Sequence, residues 1–209
     1  NKVVSHLGLS QQLKSRAAYF YRIIKKNAPE IKNHVSLIAF CIFYSSREFS
    51  HQAPINIREL CKVFTDYGHR ITPRLIIRDN IEYNSFIKKK NTPHKCEDYI
   101  PKLVDRVVTW NKMKQRMEKK KSNWTLEEYR ILLLKTSKFL LSRLNRKRRG
   151  SRNPFIMAAT TVYCADRLLA EKKNTKKILT QKIASKAMKI PEYSIRDHFV
   201  KVFKPIFNL

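Results

Sequence analysis

Catalysis and metal binding need particular side chains grouped in recognisable patterns, and this chain offers few such groups. Six histidines, His6, His34, His51, His69, His94 and His198, are scattered without an H-E-x-x-H pattern, the spacing that sets two imidazoles on one helical face for zinc. The three glycines make no phosphate-cradling loop, and no G-x-S-x-G elbow occurs. Cys41, Cys61, Cys96 and Cys164 are widely spaced with no C-x-x-C pair. Cys96 and nearby His94 would supply only two ligands of a tetrahedral zinc site, whereas Cys41 and Cys164 fall in apolar helical runs where a thiol behaves as a small hydrophobe. The 16 acidic residues are too sparse to suggest the carboxylate cluster of a metal-dependent nuclease. The chain is therefore read as a non-enzyme, with no catalytic residue, metal or cofactor.

Cations are what the chain has in quantity. Lys and Arg number 45, for a formal net charge of +29 over 209 residues, and so large an excess on a folded body marks a polyanion, nucleic acid first, as partner. Near the end, SIRDHFVKVFKPIF (194–207) fits a helix with Ile195, Phe199, Val202 and Phe203 inward. A step of about 100° per residue then turns Arg196, Asp197, Lys201 and Lys204 outward together, with Ser194 suited to an N-cap. An outward arginine can pair bidentately with guanine O6 and N7, worth about 1–3 kcal/mol of discrimination. Arg152 precedes a helix that begins near Pro154, and a helix N-terminus with its unbonded N–H groups suits a phosphate. The runs RLNRKRRGSR (143–152, with Arg148 and Arg149), EKKNTKK (171–177) and KMKQRMEKKK (112–121) extend the basic surface. Charge runs are usually solvated, so about one of the three is expected to meet phosphate.

Helical periodicity positions these groups. LSQQLKSRAAYFYRII sets Leu9, Leu13, Ala17, Phe20 and Ile24 on one stripe after a Ser10 cap. VSLIAFCIFYSSR (35–47) and FIMAATTVYCADRLL (155–169) are apolar nearly all round, which a helix tolerates only when other helices enclose it. INIRELCKVF and TPRLIIRDNIEYNSFI follow the first of these, TQKIASKAM and the SIRDHF helix the second. EDYIPKLVDRVVTW is amphipathic through Leu103, Val107 and Trp110, and Thr125-x-x-Glu128 forms a capping box before the next helix. No run approaches the roughly 20 apolar residues of a membrane span and no signal-peptide layout occurs, so an intracellular protein without membrane contact is expected.

The order of elements repeats. At one constant offset Lys32-Asn33 pairs with Arg152-Asn153, Ala39 with Ala159, Phe43 with Tyr163 and Arg47 with Arg167. With small loop adjustments, Ile57-Arg58-Glu59-Leu60-Cys61 falls over Thr180-Gln181-Lys182-Ile183-Ala184, and Ile77-Arg78-Asp79 over Ile195-Arg196-Asp197. This pattern predicts an all-α protein built by internal duplication, with repeats at 1–88 and 97–209 joined by a linker at 89–96.

These residues resemble the core of the transcription initiation factor IIB family, eukaryotic and archaeal, which consists of two tandem cyclin-like five-helix repeats. EDYIPKLVDRVV is similar to the family's entry helix, RNPFIMAATTVYCADRL to its small-residue buried helix, and TQKIASKAMKIPEYSIRDHF to its helix-turn-helix. The likeness runs from about Leu7 to Phe207 and is looser in the first repeat. It departs from the family where EIKNHVS lacks the Gly before the buried helix, where Gly150 stands one residue early, and where His198 and Val200 replace residues commonly basic in relatives. The family's zinc ribbon and polymerase-probing linker would stand ahead of Asn1.

The resemblance implies a bracing helix at Thr180–Met188, a turn at Lys189–Tyr193 and a recognition helix from Ser194. Arg196 would contact a base beside the TATA box, Tyr193 would pack near it, and Arg152 would meet phosphate. Ser194, Lys189, Lys201, Arg148 and Arg149 complete the expected DNA-binding set. The implied partners are double-stranded promoter DNA, TATA-binding protein and RNA polymerase, the chain acting as a monomer at the chromosome or transcription site. The rival expectation is a cyclin-like adaptor that binds a kinase or regulatory protein without specific DNA binding, basic for unrelated reasons.

Overall fold

The computed structural model describes residues 2–48, 55–87, 95–120, 123–150 and 152–207, with backbone alone at Arg146 and Lys147. Every regular element among them is helical. The chain divides into two compact units, Asn1–His94 and Lys95–Leu209. Of the expected linker, only Lys95 and Cys96 lie within the described residues, and they open a helix. His51 and His94 lie outside the described residues.

In the first unit α1 (Lys2–His6) leads into α2 (Gln11–Asn27), whose N-cap is Ser10 as predicted, its hydroxyl accepting from the Leu13 N–H at 3.3 Å. Leu13, Ala17, Phe20 and Ile24 form the buried stripe of α2. It packs on α3 (His34–Glu48), which is buried from Leu37 to Ser46 except at Ile38. The Asn33 carboxamide caps α3 through the Ser36 N–H at 2.9 Å. Helices α4 (Ile57–Asp66, capped by Asn56) and α5 (Pro73–Tyr83, capped by Thr72, then a 3₁₀ turn at Asn84–Phe86) close the unit. Two buried or half-buried carboxylates tie it together. Glu48 takes a bidentate fork from Arg16 at 2.5 and 2.8 Å, and buried Asp79 accepts from the Ser36 hydroxyl.

The second unit follows with α6 (Cys96–Val108), α7 (Met113–Lys119), α8 (Leu126–Arg143), α9 (Arg146–Arg149), α10 (Pro154–Lys172), α11 (Gln181–Met188), α12 (Glu192–His198) and α13 (Lys204–Phe207). The Thr125/Glu128 capping box forms at α8, with N–H to oxygen distances of 3.2 and 2.7 Å. Trp110 lies past the end of α6, in the turn after Thr109, yet still packs on the core. The centre is α10, buried without a break from Met157 to Asp166. Proline stands at its first position, where a missing N–H costs nothing, and Asn153 caps it through the N–H groups of Phe155 and Ile156.

Residues aligned in the sequence differ in their surroundings. Ile77 is 54% exposed while Ile195 is fully buried, and the Asp79 side chain is buried while that of Asp197 is 43% exposed. The shared I-R-D tripeptide thus presents different faces in its two helices, Ile76 rather than Ile77 being buried in α5. At the preceding helices the caps are Asn56 and Thr180, so Ile57 is a first helical residue where Thr180, aligned with it, is a cap.

Candidate nucleic-acid interface

A buried acid sets the position of the last helices. Asp166, in the middle of α10, has three donors: the Tyr129 hydroxyl at 2.8 Å, the Ile178 N–H at 3.3 Å and the Leu179 N–H at 2.8 Å. Two of these are backbone groups of the segment leading into α11. The Ile178 carbonyl in turn accepts from Arg116 Nε of α7 at 2.5 Å. Burial pushes the Asp166 carboxyl up from 3.8 to about 6, against the pull of its donors, because desolvation disfavours the charged form. It also raises the Tyr129 hydroxyl well above its ordinary value. Helix α11 starts where this anchored segment ends, with Thr180 accepting from the Ile183 N–H at 3.3 Å.

The connection from α11 to α12 is a tight turn. Lys189 ends α11 in the left-handed region, φ 56° and ψ 50°, a conformation in which a Cβ meets the following carbonyl. Ser185 ties the turn from both sides: its carbonyl accepts the Ile190 N–H at 3.1 Å and its hydroxyl donates to the Ile190 carbonyl at 2.6 Å.

Helix α12 begins earlier than the sequence suggested. Pro191 is the N-cap and Glu192 the first helical residue; the ring fixes φ near −57° and the Pro191 carbonyl accepts the Ser194 N–H at 3.1 Å. Tyr193 therefore sits on the helix rather than in the turn. Ser194 is inside the helix and buried, so it neither caps it nor presents its hydroxyl to a ligand. Beyond His198 the chain widens into a π-helical stretch, Phe199–Phe203, before α13. Pro205 follows and has no N–H to return to the Lys201 carbonyl, and a wide turn is one way a helix absorbs that loss.

The outward face carries Tyr193, 65% exposed, with Arg196, Val200, Lys201 and Lys204. Ile195, Phe199, Val202 and Phe203 are buried as expected. Asp197 bonds to Lys201 at 2.5 Å, which holds its carboxyl below the usual range. Arg196 has no carboxylate partner among the described residues. Arg152, just ahead of α10, lies near enough to α12 to act electrostatically on both Asp197 and His198. His198 is lowered chiefly by burial, its Nδ1 against the Ser194 carbonyl at 2.9 Å.

Arg148 and Arg149 part company. Arg148 is exposed. Arg149 is held inside the unit, Nη1 to Glu97 at 2.7 Å, Nη2 to the Leu141 carbonyl at 2.6 Å and Nε to the Leu144 carbonyl at 3.0 Å. Its donors stabilise the end of α8, so this half-buried member of the expected basic set already has partners within the unit. Helix C-terminal carbonyls need such partners.

Sequence reasoning missed a cleft of about 670 Å³ where two basic runs meet. Lys120, Arg167, Lys176, Lys177 and Lys182 line it, with Glu192 the one carboxylate among the described residues. Arg167 stacks 4.9 Å over the Phe199 ring and bonds to Tyr163 at 3.2 Å. The N-terminus of α11 opens into the same cleft through Thr180, Gln181 and Lys182. The signal was present as the runs 112–121 and 171–177, but nothing in their spacing says they converge.

All four cysteines are free and buried, and burial pushes the Cys61 thiol up to about 11 against the opposing pull of a backbone hydrogen bond. Among the described residues no cluster of His, Cys, Asp or Glu could hold a metal, and no helix is long and apolar enough to cross a membrane. Comparison of the chain with protein-family profiles and with curated proteins finds no match.

Proposed function

We propose that the chain is the DNA-binding core of an initiation factor of the IIB type, two cyclin-like repeats that grip promoter DNA beside the TATA box together with TATA-binding protein and help recruit RNA polymerase. The observation that carries this reading is the face of α12: Tyr193 and Arg196 exposed together, Arg196 with no carboxylate partner among the described residues, Arg152 close by, on a short helix braced by α11 across a tight turn. A helix so mounted puts its first turn into the major groove. Arg196 reads guanine there, and Lys189, Arg152 and Arg148 meet phosphates. Lys201 must give up its bond to Asp197 to do likewise, so its part is long-range attraction. The basic cleft at the start of α11 adds backbone contacts, and the net charge of +29 speeds encounter with the duplex.

Support for the duplicated plan comes from matching details within each unit. Asn33 and Asn153 cap the two enclosed helices through side-chain oxygens, and an arginine one turn after an aromatic covers its ring in both, Arg47 over Phe43 at 4.5 Å and Arg167 over Tyr163 at 5.8 Å.

The test is a salt titration on a TATA-containing duplex with TATA-binding protein present. Several phosphate contacts give a linear fall of log K with log salt, about −0.9 per phosphate neutralised. A flat response refutes the reading and favours a cyclin-like adaptor.

A further inference from the structure

The first unit contains a surface that DNA binding does not use. A groove of about 700 Å³ runs between α2 and α3, closed at its ends by α1 and the end of α4. Its floor is Val4, Ala17, Cys41, Ile42 and Phe64, all buried. Its upper walls carry Ile38, 41% exposed, and Tyr67, 40% exposed, together with Val3, Ala18, Val35, Tyr21 and His69. Ile38 stands out because it interrupts the otherwise enclosed run of α3. An outward isoleucine beside a deep apolar slot is the residue type and place that a docked partner would cover.

Charge selects the partner. Lys2, Lys14 and Arg22 stand on the rim, and among the described residues no carboxylate lines the groove. Lys14 and Arg22 lie on one face of α2, eight residues apart, which is about 12 Å or two helical turns. Along α3, Val35, Ile38 and Ile42 repeat at the matching interval. The slot therefore has the length, apolar floor and cationic edge that accept a short amphipathic helix through anchors at i, i+3 or i+4 and i+7.

We infer that this groove binds an acidic amphipathic helix of a partner protein, its apolar stripe on Ile38 and the floor and its carboxylates against Lys2, Lys14 and Arg22. A second copy of this chain is a poor occupant, because two bodies of +29 repel each other. Tyr21, Phe64, Tyr67 and His69 also line the groove, and rings in a basic groove can stack bases, so a single-stranded oligonucleotide is the competitor the experiment must include. The inference does not rest on DNA binding by α12, and the two can fail separately.

The experiment titrates the full chain into a fluorescent synthetic peptide of three to four helical turns, with Leu and Phe at the anchor positions and Asp and Glu elsewhere. A scrambled peptide of the same composition and a single-stranded oligothymidylate serve as comparisons. Ile38→Glu, at an exposed position, is expected to weaken the patterned peptide by at least about tenfold, the size of an anchoring contact. Lys14→Glu with Arg22→Glu is expected to do so more steeply at low salt, and Arg196→Ala is expected to leave it unchanged. Circular dichroism confirms that each variant is folded. Equal affinity for the scrambled peptide would reduce the contact to bulk charge and overturn the inference. So would an unaltered affinity in Ile38→Glu, or displacement of the patterned peptide by the oligonucleotide.

Discussion

Replacing Tyr129 with phenylalanine tests whether Asp166 anchors the segment leading into α11 as a charged group. Tyr129 is fully buried, and its hydroxyl donates to Asp166 at 2.8 Å. The folded carboxyl sits at about 6 against an ordinary 3.8, so over that interval the folded state holds a proton the unfolded state has lost. The contribution of this group to stability is thus fully present below 3.8 and is lost as pH rises through about 6. Tyr129→Phe removes a donor from the ionised form and pushes the carboxyl higher still, which deepens the loss on the alkaline side. A hydrogen bond to a charged acceptor contributes about 1.5–3 kcal/mol and a neutral one about 1 kcal/mol. The variant is therefore expected to cost about 1–2 kcal/mol more at about pH 8 than at about pH 5. Urea midpoints of wild type and variant at both pH values give the quantity directly, since groups untouched by the substitution cancel in the difference. A cost that is equal at the two pH values, or larger in acid, would refute the reasoning.

Arg196→Ala should narrow the difference in affinity between duplexes that differ only just upstream of the TATA box, by about 1–3 kcal/mol; equal weakening on both, read by competition binding, would make Arg196 a phosphate contact. Lys189→Gly should raise stability by about 1 kcal/mol by relieving the left-handed strain, a gain seen in thermal melts, and on DNA it should weaken all duplexes alike. Arg149→Met should lower stability by about 2 kcal/mol or more because it strips partners from Glu97 and two carbonyls, whereas Arg148→Ala should leave the melting temperature unchanged and flatten the salt slope by about one phosphate.

Helix positions were legible because their causes are local. Ser10 and Thr125, read as caps, cap the helices they precede, and the two enclosed helices declared themselves by lacking a polar face; Thr180, read as helical, is a cap instead. The faces of paired helices were harder, since a tripeptide match carries no record of burial: Ile77 and Ile195 share a motif but not an environment. Pro191 displaced Ser194 as a cap because a serine preference of about 1 kcal/mol yields to a ring that already holds the required angle. Asp166 was invisible as an anchor, for nothing near it in sequence indicates that Tyr129 and the 178–179 backbone fold over it. Arg149 was read with its cationic neighbours, and only the tertiary approach of Glu97 separates it from Arg148. The basic cleft and the groove of the first unit both arise from segments distant in sequence.

Glu48, Asp79, Glu97 and Asp166 each have a bonding partner within their own unit, so some of the scarce negative charge is taken up in internal fastening. Solvent-facing lysines, by contrast, have little to hold in place. A lineage could add or discard them and retune the net charge of the molecule, with little change in its scaffold, whereas losing a single one of those four acids would loosen it.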